Sequence, residues 1–328
     1  MVQVTCLGEA LAVLVPVHDS ATPEHGGRGY TLEIGGAEAN VACTLAALGV
    51  SARWVGRLGD DHFGRVVLRT LAEHGVDVSA VEVDSTRQTG LYVKEIARDE
   101  RRHGGGPGTR MRYYRAGSAA CAMTPGLAQS PALTGAGLVH VSGITPALSE
   151  SCAALVDAVL AAPRPGRPVS FDVNLRPALW TGRDPAVLLD LAGRADLVFA
   201  GADETEAICG VSDPDELRRM LPGPRTLVVK QGAAGAVGFE AGQRVHVPAQ
   251  PVEVVEATGA GDAFAAGFIA ATLRGLPLRD RLRLGAFAAA GALRVRGDLG
   301  VRPDAGSVER FLSQEPEPTP DEVRTGAA

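Results

Sequence analysis

The sequence predicts an α/β protein: a three-layer, doubly wound, mostly parallel sheet with a small β-flap beside it. Strand-like apolar runs alternate with helix-like segments through most of the 328 residues, as in a parallel sheet covered on both faces. Glycine-rich or polar motifs follow the strands ("GGAEAN", "DVNLRPALW", "KQGAAG", "TGAGD"), and such sheets bind ligands at the carboxyl ends of their strands. One stretch, Thr89 to Ala120, breaks the alternation.

Taken in order, "VTCLGEAL" reads as the first strand and "RWVGRLG" as the next, with the helix "AEANVACTLAALG" between them, closed by Gly49. Thr89 to Ala120 then carries two strands, "TGLYVKEIA" and "RMRYYRAGS", around the charged, glycine-rich "RDERRHGGGPGT". A hairpin with so long a loop fits poorly in a doubly wound sheet and better as a flap. Beyond it come the strand "GLVHVSG", the helical "SESCAALVDAVLAA" and the strands "PVSFDVN" and "DLVFAG". A short helix from Glu204 to Cys209, the strand "RTLVVKQG" and a helix opening near Asp262 follow. Phe264, Phe268 and the alanines between them give that last helix a buried face. The terminal "SQEPEPTPDEVRTGAA" is proline-rich and polar and reads as a disordered tail.

Composition closes off several function classes. The chain is 45% hydrophobic and 21% charged, a globular balance. A net charge of -6 and a pI of about 5.7 argue against nucleic acid and membrane surfaces as partners. No apolar run reaches the ~18 residues of a membrane span. "MVQVTCLGEALAVLV" has no basic residue ahead of its apolar part, so it reads as strand and not as a signal peptide. The five cysteines form no CxxC pair and the seven histidines no HExxH, which points to buried thiols in a reducing cytoplasm and away from structural zinc. Lysine occurs only at Lys94 and Lys230, which reads as a composition bias and not as a function.

The chemistry concentrates at "VEATGAGDAFAAGF", Val255 to Phe268. Gly259 and Gly261 let the backbone turn sharply and a ligand approach its N–H groups. A helix N-terminus entered from glycines favours an anion. Asp262 is then either an ordinary helix-start residue or a carboxylate base in a phosphate cradle. A dinucleotide fingerprint fails, because Phe264 stands where its third glycine belongs, and a Walker A loop fails, because there is no Gly-Lys dipeptide. An oxidoreductase therefore lacks its fingerprint.

"GGAEANVACTLAALG", "GRLGDDHFG", "KQGAAG" and "TGAGDAFAAGF" occur in that order. Together they resemble the ribokinase-type carbohydrate kinases, the PfkB family, over about Val4 to Asp304. The resemblance implies one ribokinase-like domain at 1–312, with a β-lid from about 10–35 and 89–120 and a tail at 313–328. It also implies Mg-ATP as phosphoryl donor and a homo-oligomer formed through the lid. Asp262 becomes the base that accepts the substrate hydroxyl proton, and the amides of Gly259, Ala260 and Gly261 an anion hole. Lys230, Gly232 and Gly235 border the ATP, although "VVKQGAAG" also reads as a plain hairpin loop. Asp203 takes the place of an asparagine in the family's Asn-x-x-Glu and Glu206 is retained, tied indirectly to Mg2+. Glu256-Ala257 replaces the Asp-Thr found near a monovalent cation, which leaves that cation open.

Within the family, "YYRAGSAA" and "DVNLRPALW" look like the 2-keto-3-deoxygluconate kinases. That implies a sugar-acid site of Gly35, Gly36, Asn40, Tyr92, Tyr113, Arg115, Ile144, Arg176, Asp262 and Asp298. Arg115 and Arg176 are also ordinary candidates for surface ion pairs; around a sugar, two guanidinium groups suit an aldonate better than a neutral hexose. A kinase for fructose or ribose and a non-catalytic sugar-binding regulator are the alternatives. The role of the lid loop 98–109 and the sugar epimer stay open.

Overall fold

The computed structural model describes residues 2–17, 29–97, 108–162, 166–295, 297–298 and 305–313. Most of the glycine-rich flap loop (98–107), part of the expected lid (18–28) and nearly all of the expected tail (314–328) lie outside the described residues.

Among the described residues, fourteen strands fall into three sheets: β1 (Val4–Leu7), β2 (Leu11–Pro16), β3 (Tyr30–Gly35), β4 (Ala52–Val55), β5 (Arg57–Gly59), β6 (Glu82–Asp84), β7 (Leu91–Ala97), β8 (Gly108–Tyr114), β9 (Leu138–Ser142), β10 (Val169–Asp172), β11 (Leu197–Gly201), β12 (Thr226–Lys230), β13 (Ala236–Glu240) and β14 (Gln243–Val247). The main sheet runs β14-β13-β12-β11-β10-β9-β1-β4. Its strands from β4 to β12 are parallel, and β13 and β14 close one edge antiparallel.

Side chains alternate across this sheet, as strand geometry requires. Leu197 and Phe199 of β11 point into one core, with the helices Ala37–Ala47, Ala260–Leu273 and Leu278–Ala292. Val198 and Ala200 point into the other, with the helix Glu150–Ala161. The helix Ala260–Leu273 is apolar all round and buried from Asp262 to Ala271, which is how a helix between a sheet and another helix reads. Phe199 meets the rings of Phe264 and Phe268 edge-on, at 6.3 and 5.4 Å. Gly267 lets the neighbouring helix come close, since a Cβ there would lie 2.5 Å from the Leu284 carbonyl oxygen.

The second sheet, β3-β2-β7-β8, stands apart from the first. It joins the two chain regions that the flap was expected to draw on. "VTCLGEAL" and "RWVGRLG" are each divided, where the sequence reads one strand. β1 and β2 belong to different sheets, while β4 stays in the main sheet and β5 pairs with β6. The breaks fall at a crossing of two glycines. A Cβ on Gly56 would lie 2.5 Å from the Gly8 carbonyl oxygen, and one on Gly8 would overlap the Glu38 carboxylate.

Candidate active site

The site forms where the main sheet's carboxyl ends meet the N-terminus of the helix Ala260–Leu273. Gly259, its N-cap, is left-handed (φ 78°), and a Cβ there would lie 2.4 Å from the Asp298 carbonyl oxygen. Only glycine meets both demands without strain. The first N–H groups of a helix lack intrahelical partners, and Ala260 and Gly261 of this turn line the cleft, a setting that favours an anion. Ala260 N donates to the Ala257 carbonyl at a long 3.4 Å, which leaves Gly259 and Gly261 the better donors.

Asp262 sits in that first turn, 6% exposed. Two amides turn their N–H groups toward it. Asn40 Nδ2 donates to Oδ2 at 2.8 Å and Asn174 Nδ2 to Oδ1 at 3.3 Å. The carbonyl oxygens of both asparagines are left buried without partners. Burial pushes the Asp262 carboxyl up to about 7, against the Asn40 hydrogen bond and the Arg176 charge. A carboxylate that titrates near neutral pH is matched to general-base work.

Beside it lies an ammonium. Lys230 Nζ donates to both oxygens of Asp172, at 2.9 and 3.0 Å. A Cβ added to Gly261 would come within 3.3 Å of that Nζ, so the cation adjoins the anion hole. Burial alone would lower the Lys230 pKa, but the charges of Asp172 and Glu204 outweigh it and hold it above its ordinary value. Lys230, Gly232, Gly235 and Gly261 open into a cleft of about 630 Å³, lined further by Pro251, Val252, Phe264, Ala286, Ala290 and Leu293. Its far end is apolar, as a heteroaromatic base requires. The "KQGAAG" turn thus joins β12 to β13 as a hairpin and also borders the cleft.

The flap supplies the opposite wall. Tyr92 on β7 donates a short hydrogen bond to Asp298 Oδ2, and its ring centroid lies 5.1 Å from that of Tyr113. Gly35 adjoins the same carboxylate, since a Cβ there would lie 2.4 Å from Asp298 Oδ2. Gly36 (φ 128°) passes so close to Glu9 that a Cβ would meet its carbonyl oxygen at 2.3 Å. Arg115 stacks over Tyr113 at 4.5 Å and donates to Glu9 Oε2 at 2.6 Å. Ile144 is buried just past β9. Arg176 is exposed. Its charge reaches Asp262, Tyr113 and Glu204, and among the described residues no carboxylate pairs with it.

Most of the residues carried over from sequence gather here, and two clearly do not. Asp203 and Glu206 are exposed on the helix Ala202–Cys209 and do not line the cleft. Glu204, between them, accepts from Gly201 N at 2.7 Å and feels Lys230. Sequence reasoning missed Asp172, Asn174, Glu9 and Glu204. Period-2 alternation past β10 puts Asp172 and Asn174 on one side, and Asn174 is left-handed (φ 40°), a conformation asparagine tolerates. That alternation in "SFDVN" was the available signal.

Comparison with known proteins agrees with this geometry. The family model described as "pfkB family carbohydrate kinase" matches residues 1–304. The chain belongs to that family. The kinase is similar to a 2-dehydro-3-deoxygluconokinase of Thermoproteus tenax, 36% identical over 95% of this chain and 94% of the relative. It is 33% identical to a fructokinase of Klebsiella pneumoniae, over 93% and 98%. Among solved structures, a PfkB protein from Polaromonas sp. JS666 matches with a TM-score of 0.80 and 33% identity, over 94% of this kinase and 99% of that chain. The fold is thus the ribokinase-like one, and the protein is a sugar kinase.

Proposed function

We propose that this kinase transfers the γ-phosphoryl group of ATP to a 2-keto-3-deoxy sugar acid, most simply 2-keto-3-deoxygluconate at its terminal hydroxyl. The observation that carries the acid is Arg176, a guanidinium beside Asp262 and Tyr113 with no carboxylate of its own among the described residues. A substrate carboxylate would meet its planar fork. Arg115 shares the wall, but Glu9 already meets its charge, so the two arginines do not carry equal parts. The name of the Thermoproteus tenax relative supports the same substrate.

In this reading the adenine occupies the apolar end of the cleft and the phosphates run past Lys230 to the anion hole. Asp262 takes the hydroxyl proton as the oxygen attacks the γ-phosphorus. The bond from phosphorus to the β,γ-bridging oxygen breaks, and ADP leaves with that electron pair. The amides of Gly259 and Gly261 and the Lys230 ammonium meet the charge on the transferring group. Magnesium bound to nucleotide takes most ligands from phosphate and water and needs one or two carboxylates. Glu204 and Asp172 fit that need, and the ion would neutralise phosphate charge there. Asp203 and Glu206 enter only through water or the helix end. The sheet β3-β2-β7-β8 acts as a lid that excludes water over the sugar. Its edge strands carry Tyr30 and Tyr114, 44% and 56% exposed, which suits pairing with a second copy. None of the five cysteines is in a disulfide, and a reducing compartment such as the cytoplasm would suit them.

ADP release is measured with 2-keto-3-deoxygluconate, its galactonate epimer, fructose and ribose. A kcat/KM for a sugar acid orders of magnitude above either neutral sugar is expected. Equal rates on fructose or ribose would leave the sugar kinase and remove the acid, and would favour the activity named for the Klebsiella relative.

A further inference from the structure

Both lysines of this chain sit in carboxylate clusters, Lys94 buried and Lys230 partly so, and the transfer chemistry uses only one. Lys94 lies on β7, in the flap, and its side chain is 2% exposed. Its Nζ donates to Glu256 Oε1 at 2.6 Å and lies 3.1 Å from Asp298 Oδ1. Tyr92, two residues earlier and so on the same strand face, holds the other oxygen of Asp298. Glu33, half-buried on β3, adds a third carboxylate whose electrostatic partners are Lys94, Asp298 and Glu256. One flap cation thus joins two acids from two segments and lies in the field of a third.

Two of those acids flank the anion hole. Glu256 precedes Gly259 by one short turn. The Asp298 carbonyl oxygen occupies the space a Cβ on Gly259 would take, so the Asp298 main chain is the wall against which Gly259 holds its left-handed turn. We propose that Lys94 is a positioning residue, a tethered cation that locks the anion-hole loop to the flap and so keeps the Gly259 and Gly261 amides aimed at the transferring phosphoryl. Lys94 does not line the cleft beside Lys230 and Gly261. The chemistry of the cage is that of a monovalent-cation site, filled by the chain's own ammonium. Removing the ammonium leaves the Glu256 and Asp298 carboxylates around a hole sized for a small cation, with nothing to oppose their repulsion.

The proposal rests on the phosphoryl-transfer reading but not on the sugar-acid one, and the test separates them. Lys94→Ala is assayed with whichever sugar the wild type turns over. A misaimed anion hole costs ~10²-fold in kcat, while the KM for ATP stays near wild type because the adenine end of the cleft is untouched. Ammonium or methylammonium chloride recovers part of that kcat saturably, and choline chloride at equal ionic strength does not. Lys94→Met fills the hole and is not rescued. Hydrogen exchange of the amides at 256–262, read without substrate, is faster in Lys94→Ala and slows again with ammonium. Glu256→Gln removes the charge at the loop end and keeps the shape; it lowers kcat at unchanged ATP KM, and it carries the test if the lysine variants do not fold. Wild-type kcat in folded Lys94→Ala or in Glu256→Gln, or equal recovery with choline, overturns the proposal.

Discussion

Asp262→Asn should cost activity and add stability at the same pH, and the two effects share one cause. The site is built around a charged carboxylate that its own burial opposes. Folding lifts the carboxyl from its ordinary 3.8 to about 7. Each pH unit between those values is 1.36 kcal/mol of preference for the protonated form, so holding the charge above pH 7 costs up to about 4 kcal/mol. The raised pKa means the folded state binds the proton more tightly than the unfolded state. Wild-type stability therefore falls as pH rises from about 4 to about 7 and is flat above. The asparagine has no charge to hold. Its NH2 would face one of the amide N–H groups of Asn40 and Asn174, but a flip of either amide presents a carbonyl oxygen that now lacks a partner. The hydrogen bonds are thus recoverable, and the variant keeps most of the gain. At ~2 °C per kcal/mol for a chain of this size, its melting temperature at pH 8 rises by as much as about 8 °C. The gain shrinks to nothing near pH 4. In parallel kcat falls by ~10²-fold or more, and the wild-type kcat/KM drops tenfold per unit below about pH 7. Thermal melts of both proteins from pH 4 to 8, with kcat at pH 8, make the measurement. A stability difference that does not change with pH refutes the buried-charge reasoning, and near-wild-type kcat refutes the base.

Three further outcomes follow from other contacts. Arg176→Ala should lower kcat/KM for the sugar acid by ~10²-fold and leave any neutral-sugar activity in place; equal losses on both substrates would show that the guanidinium meets no carboxylate. Glu9→Ala leaves the buried Arg115 charge without its protein partner and should destabilise the empty enzyme by about 3 kcal/mol in urea, with a larger thermal shift on adding sugar acid than wild type gives. Gly259→Ala forces a Cβ onto the Asp298 carbonyl in a left-handed turn, so kcat should fall further than ATP affinity by titration, with a stability loss of about 1–3 kcal/mol.

The tight turn ahead of Asp262 was legible because glycines announce themselves. Gly259 and Gly261 had a backbone reason to be there, and the alternation of apolar strands and helices carried the layered sheet. What stayed hidden depends on long-range meetings. Arg115 reads as a free arginine until Glu9, 106 positions away, is seen to pair with it. The scarcity of lysine read as a bias, yet Lys94 and Lys230 are both paired with carboxylates beside the candidate site. Helix phase decides that Glu204 faces Lys230 while Glu206 faces outward, and a carried-over motif does not fix that phase. The breaks at Gly8 and Gly56 depend on one chain passing across the other, which no local propensity encodes.

The hydrogen bond from Asn40 to Asp262 spans 222 positions, and that from Tyr92 to Asp298 spans 206. During synthesis Asn40, the flap strands and both lysines leave the ribosome before Asp262 and Asp298 exist. A growing chain therefore presents Asn40, Tyr92 and Lys94 with their partners still unmade, and no shortened N-terminal product can transfer a phosphoryl group. The site is complete only when the late helix packs against the sheet and beside the early helix. In this protein, turnover is itself the signal that the two ends of the chain have met.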